Sequence, residues 1–421
     1  MNYRLLFALP ITVALVGCNG TLPQFNKGGD AKNYGTSSEL PERARPNDAT
    51  ISLYQDKRLE LIELRRNQGR LYTVEPKGNA RSFEQVPNLP SKALDHELTE
   101  GYFLSYLFYD NGVIKYNGVP KKGRFDQDVN DEMLFFTHST GKSITSYILG
   151  HAICEGYIES MDEIIDWPIM SKTLYQGQPI RNLLNMNAGD RHTVNERANR
   201  WMGHVDHHRD MSLREISELL EGTVRKGNEV FYNNALSDLI AMYIAFRAGD
   251  NYDSLMRKVF QDKVKIAYPV SYELHKESYD KDELYPYAGK PEILASYSYY
   301  MTRLDFLRVA EAMMKDYQNN TCVGQYLRES QKQAKHWPKF RPTKKNAELW
   351  LHNYAKKYGS QFYFDFYGMS GRNIMATEGR NGQNMIIGLD NSRIVVTNSA
   401  ATAWDVRIFM LDVIENGTLP D

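Results

Sequence analysis

Two hairpin signals near opposite ends of the chain constrain its fold more than any other feature. Early on, Tyr102-Phe103-Leu104-Ser105-Tyr106-Leu107-Phe108-Tyr109 is followed by Asp110-Asn111-Gly112 and then by Val113-Ile114-Lys115-Tyr116. Aromatic and β-branched residues on both sides of a turn sequence are the pattern of a β-hairpin. Near the C-terminus, Asn384-Met385-Ile386-Ile387-Gly388, Leu389-Asp390-Asn391-Ser392 and Arg393-Ile394-Val395-Val396-Thr397 read as strand, turn and strand. Early and late strands can therefore share one antiparallel sheet.

The sequence between them turns helical. Ser143 to Cys154 places Ile144, Tyr147, Ile148 and Ile153 near one face, and Gly156 sits where a C-terminal cap belongs. Ala235 to Ala248 and Tyr300 to Met314 repeat that style. Strands, a long helical middle and strands again predict an α+β architecture: an antiparallel sheet built from N- and C-terminal strands, flanked by helices. The chain is 42% hydrophobic and 24% charged with a formal net charge of -1. Such a balance fits a globular body and gives no electrostatic case for a nucleic-acid partner.

Residues 1–17 stand apart. Arg4 supplies a positive start, and Leu5 to Val16 is nearly all apolar but short for a bilayer span, so the segment reads as a signal peptide. Its end, Leu15-Val16-Gly17-Cys18, resembles the lipobox of bacterial lipoproteins, which implies that Cys18 receives a lipid. Residues 18–49 are rich in Gly, Asn, Ser, Pro and charge without an apolar period, and read as a flexible tether. The expected location is the bacterial cell envelope, lipid-anchored and facing the periplasm. Asn19 lacks the aspartate that resembles an inner-membrane retention signal, which favours the outer membrane. Of the three cysteines, Cys154 and Cys322 remain after Cys18. Export into an oxidising compartment would permit a disulfide between them; the favoured reading is two buried, unpaired thiols, because a domain this large needs no staple.

Ser139 and Lys142 are three apart at the start of the first helical stretch, so their side chains share a face. Serine is a poor nucleophile until a neighbour takes its proton, and a lysine can do so only if burial or nearby charge lowers its pKa. A serine at a helix N-terminus also offers its own N–H to a developing oxyanion. On four residues alone, a helix-capping serine with a solvated lysine fits as well. The surroundings decide: Phe136-Thr137-His138-Ser139-Thr140-Gly141-Lys142-Ser143-Ile144-Thr145, then Gly150-His151-Ala152-Ile153-Cys154-Glu155-Gly156, resembles the nucleophile helix of the serine β-lactamase, penicillin-binding protein and esterase superfamily, in its class C-like branch.

Further stations follow in that family's order. Ile180 to Gly189 resembles the segment after the nucleophile helix, and Tyr232-Asn233-Asn234 resembles the Tyr-x-Asn motif. The resemblance implies Tyr232 beside the nucleophile, able to relay a proton if Lys142 as a cation depresses its pKa, and Asn234 bonding both Lys142 and substrate. Glu378-Gly379-Arg380-Asn381-Gly382-Gln383 resembles the Gly-x-x-Gly-Gln variant of the third motif. By that likeness Arg380 takes the cationic or histidine place, Gly382 belongs with it to the substrate-binding and oxyanion set, and the backbone N–H of Gln383 is the second oxyanion donor; a tight glycine turn between strands is the plainer alternative. The departure from the family's Lys or His makes efficient penicillin hydrolysis doubtful.

The resemblance implies a β-lactamase/transpeptidase-like domain over 50–421, with a helical subdomain at roughly 157–360. It further implies a serine hydrolase acting by an acyl-enzyme on a small ester or amide, related to the 6-aminohexanoate-dimer hydrolase and carboxylesterase branch. Alternatives are a D-amino-acid peptidase or β-lactamase acting near peptidoglycan, and a non-catalytic penicillin-binding-like lipoprotein. No cofactor or metal is expected. His192, His204, His207 and His208 with Asp206 and Asp210 match no zinc spacing, and Asn195 to Asp210 reads as a solvated or substrate-facing loop with Trp201 and Met202 near the pocket mouth.

Overall fold

Both hairpins form, and they lie side by side. The computed structural model describes residues 47–191, 193, 213–278, 291–294, 296–337, 350–369 and 371–421. The expected signal peptide, Cys18, nearly all of the tether and the stretch Asn195 to Asp210 with His192 lie outside the described residues. In chain order the strands are β1 (Leu71–Val74), β2 (Glu84–Gln85), β3 (Phe103–Asp110), β4 (Val113–Gly118), β5 (Leu134–Phe136), β6 (Val270–Ser278) and β7 (Pro291–Ile293). They continue with β8 (Tyr299–Thr302), β9 (Lys335–His336), β10 (Ala355–Gly359), β11 (Phe362–Phe366), β12 (Ile374–Gly379), β13 (Gln383–Gly388) and β14 (Arg393–Ser399).

The β3–β4 turn passes through Asn111 and Gly112 at φ 49° and 97°, the positive angles that a tight two-residue hairpin demands. β14 pairs antiparallel with β3, Arg393 opposite Asp110 through to Ser399 opposite Phe103. Chain ends far apart in sequence are thereby joined at the centre of a nine-stranded sheet, ordered β2-β4-β3-β14-β13-β12-β11-β10-β9. Every pairing in it is antiparallel except the short parallel β2–β4. β3, β13 and β14 are buried along nearly their whole length, with the helices Arg303–Gln318 and Asp412–Asn416 packed on β13 and β14. Strands covered on both faces have no solvent side to alternate with, hence their unbroken apolar runs. β4, by contrast, alternates between buried and half-buried positions.

A second, smaller sheet has the order β1-β6-β8-β5, with β7 on β6. Its presence corrects one expected element: Tyr300 to Thr302 is strand, and the helix begins at Arg303, where the Thr302 hydroxyl accepts from Asp305 N. Tyr300 packs with Ile62, Phe136 and Tyr297, a tertiary contact that overrides the helical reading of an apolar run.

The helix Thr140–Cys154 is buried at every residue from Thr140 to Ala152, as befits a central helix rather than an amphipathic surface one. It packs against the helices Asn234–Ala248 and Cys322–Gln333 and against β12. Its approach to the second of these is close: a Cβ at Gly150 would lie 2.6 Å from Cδ1 of Tyr326. The same packing overturns the expectation of unpaired thiols. Cys154, at the last turn of one helix, is disulfide-bonded to Cys322, at the first turn of the other, with Cα atoms 5.9 Å apart across a sequence separation of 168. Among the described residues no helix is long and apolar enough to cross a membrane.

Candidate active site

Ser139 stands where β5 gives way to the helix Thr140–Cys154. The small sheet holds the approach, since Thr137 N donates to Tyr299 O at 2.8 Å. His138 then takes φ 46°, a left-handed angle that costs a non-glycine residue about 1 kcal/mol or more. The ring of His138 meets Phe136 edge to face, and its Nε2 pairs with the Tyr54 hydroxyl at 3.2 Å. Ser139 caps the helix by backbone position alone, with no side-chain capping bond, so Oγ is left for other partners.

Its first partner is Lys142, whose Nζ donates to Ser139 Oγ at 3.2 Å and to Ser296 O at 2.8 Å. The lysine is 1% exposed, which rules out the solvated lysine of a plain helix start. Burial pulls its pKa from 10.5 down to about 7, against the opposing pull of Asp238. Asp238 itself accepts from Ser296 N at 2.7 Å and from Ser296 Oγ at 3.1 Å, so one serine links the acid and the amine. Neither Asp238 nor Ser296 belongs to a motif read from the sequence; each sits on a different element, and only the fold joins them.

Tyr232 lies against both groups. Its ring centroid is 5.0 Å from Lys142 Nζ. Burial pushes its hydroxyl pKa up, with the hydrogen bond to Ser139 pulling the other way and the Glu378 carboxylate adding to the rise. The expectation that Lys142 depresses the tyrosine is therefore corrected: a buried amine with its pKa near neutrality is only partly charged and does not offset burial, and Tyr232 stays a phenol. The tyrosine is positioned by its neighbours. Phe231 N donates to Met186 O at 2.7 Å, which gives the Ile180 to Gly189 segment its role. Asn233 caps the next helix through Ala235 N and donates to Asp190 Oδ2 at 3.0 Å.

Asn234 is placed otherwise than expected. It is 1% exposed, its Oδ1 lacks a hydrogen-bond partner among the described residues, and Lys142 Nζ bonds Ser139 and Ser296 rather than this amide. Gln383 has its side chain engaged within the protein. It is fully buried; its side chain donates to Ser399 O at 2.6 Å and accepts from Asn398, and its carbonyl accepts from the Thr140 hydroxyl at 2.6 Å. Gln383 thus fastens the helix Thr140–Cys154 to the sheet. Gly382, at φ 77°, turns the β12–β13 loop against the Trp404 indole.

In front of Ser139 opens a cavity of about 180 Å³, with Tyr232 beside the serine. Trp337, Trp350 and Tyr363 form an aromatic wall, and His352, Glu378, Gly379 and Arg380 complete the lining. Arg380 is the exposed member at the rim. His352 and the two tryptophans escaped the sequence reading because single His and Trp residues carry no spacing signal. Glu378 stood in a quoted motif without a role.

No family model matches the sequence, and no curated protein matches it. The likeness to known proteins lies in the fold. A candidate 6-aminohexanoate-dimer hydrolase from Bacillus anthracis superposes at a TM-score of 0.56 with 13% identity, covering 83% of this chain and 92% of its own. A candidate β-lactamase from Bacteroides dorei DSM 17855 reaches 0.49 at 14% identity, over 73% and 89% of the two chains. A D-amino acid amidase from Ochrobactrum anthropi SV3 reaches 0.48 at 16% identity, over 74% and 90%. The last two fall below a TM-score of 0.5 and add nothing to the assignment.

Proposed function

We propose that the chain is a serine hydrolase that works through an acyl-enzyme on a small ester or amide. The observation that carries this reading is the buried Lys142 amine, 3.2 Å from Ser139 Oγ and with its pKa near 7. A neutral amine there can take the serine proton at physiological pH. Tyr232, as a phenol bonded to Ser139, passes a proton onward to the leaving group. The oxyanion is held by the Ser139 N–H and by a backbone N–H of the β12–β13 turn, whose Gly379 and Arg380 line the cavity. The cavity of about 180 Å³ with its aromatic wall suits a small acyl group. The name of the Bacillus anthracis structure puts cleavage of a 6-aminohexanoate dimer within reach of this fold.

The second part of the reading is location. A lipid on Cys18 and a periplasm-facing domain agree with the Cys154–Cys322 disulfide, a bond that persists in oxidising compartments.

The test is a panel of p-nitrophenyl esters, D-amino-acid amides and a chromogenic cephalosporin, run on the protein and on Ser139→Ala, with intact mass followed for an acyl adduct. Turnover and an adduct that both vanish in Ser139→Ala are expected, with esters or amides preferred over the cephalosporin. A folded protein that forms no adduct with any of them sinks the reading.

A further inference from the structure

We propose that His352, oriented by Glu378, is the general base that activates water for deacylation, a role separate from that of Lys142 in acylation. The inference rests on the acyl-enzyme reading above.

The two residues form a built pair. His352 Nδ1 and Glu378 Oε2 are 2.6 Å apart, and the same carboxylate accepts from Leu351 N at 2.9 Å and His352 N at 3.0 Å. A carboxylate held by two backbone donors cannot swing away, so it fixes the imidazole. With Nδ1–H donated to the acid, the free lone pair is on Nε2. The imidazole is further wedged among Trp350, Trp337 and Tyr363, with ring centroids 5.7, 6.3 and 6.4 Å away. Glu378 is 6% exposed and His352 26%, so the acid is the more buried of the two and the base the more open to the cavity that both share with Ser139. A buried carboxylate behind a histidine that faces a nucleophilic serine's cavity is the arrangement that makes imidazole an oriented base.

The other candidate bases are badly placed for water. Lys142 is buried beneath the serine and does not line the cavity. Tyr232 does line it, but its hydroxyl is bonded to Ser139 and keeps its proton. In the proposed step His352 Nε2 takes one proton from a water whose oxygen bonds to the acyl carbon. The tetrahedral intermediate collapses by breaking the bond to Ser139 Oγ, which takes up, through solvent, the proton that His352 held. Lys142, whose proton left with the alcohol or amine in acylation, stays neutral, and the step consumes one water and releases one acid.

Stopped-flow hydrolysis of p-nitrophenyl acetate separates the two half-reactions, the burst reporting acylation and the steady rate deacylation. In His352→Gln the burst is expected to stay within about threefold of wild type while deacylation falls about 10²-fold or more. The acetyl adduct then accumulates by intact mass. Hydroxylamine, a nucleophile that needs no base, should restore release, and imidazole should do so in His352→Ala. Glu378→Gln should show the same split with a smaller loss, since Glu378 is a positioning residue. Thermal melts check that each variant is folded, and the imidazole rescue reads function directly in the weakest of them. Deacylation unchanged in His352→Gln, or burst and deacylation falling together with a raised KM, overturns the inference and leaves the acyl-enzyme reading standing. Wild-type protein that forms no Ser139-dependent adduct overturns both.

Discussion

Lys142 is an amine held in the interior by one hydroxyl and one carbonyl, and its chemistry follows from that desolvation. Only its neutral form can accept the Ser139 proton, so the acylation rate should rise with pH through about 7 and level off above it. The stability consequence has the same sign. The folded-state pKa lies below the unfolded value, so the unfolded chain binds more protons between about 7 and 10.5, and stability from this group grows as pH rises through that window. Lys142→Arg keeps a guanidinium that stays protonated. Burst kinetics across neutrality should therefore show no rising limb in that variant and acylation slowed by about 10²-fold or more. A limb that persists in Lys142→Arg assigns the base elsewhere. At this scale the Ser139-Lys142 pair was legible because the two residues are one helical turn apart. Asp238 and Ser296 were not, because no local spacing joins them.

The helices Thr140–Cys154 and Cys322–Gln333 are bound together by contact and by a covalent bond. The Ser146 and Tyr326 hydroxyls are 2.6 Å apart, and Gly150 leaves room for the Tyr326 ring. Gly150→Ala should displace that ring and cost about 1–3 kcal/mol, read as a lower urea midpoint. A neutral result means that the helix pair can slide to make room. Replacing Cys154 and Cys322 together by alanine removes a long cross-link and should cost about 2–4 kcal/mol, with Ser139 acylation retained in the folded fraction. Elements whose pattern is local were readable: the two hairpins, the nucleophile helix and the helix near Ala235 stand within a few residues of expectation. The small sheet was not, because β5 and β8 are short, apolar and distant in sequence, and they acquire strand geometry by pairing with each other.

At the scale of the whole molecule, the chain closes on itself through β3 and β14, and Ser139 sits between β5 of the smaller sheet and the buried helix Thr140–Cys154. The tether and the lipid proposed at Cys18 would hold this body at a membrane surface. Full-length protein expressed in a bacterium should enter the detergent phase of a Triton X-114 partition, and Cys18→Ala should move it to the aqueous phase. Detergent partition unaffected by that change counts against the anchor. Local pattern alone determined the α+β class, the antiparallel joining of early and late strands, and the order of Ser139, Lys142 and Tyr232, because hydrophobic period and turn chemistry act over neighbouring residues. Tertiary structure alone decided that Cys154 meets Cys322, that the Gln383 side chain bonds Ser399 and Asn398, and that His352, Glu378 and the tryptophans line one cavity with Ser139. Those outcomes depend on how elements far apart in the chain pack and exclude water from one another, which no short stretch of residues encodes.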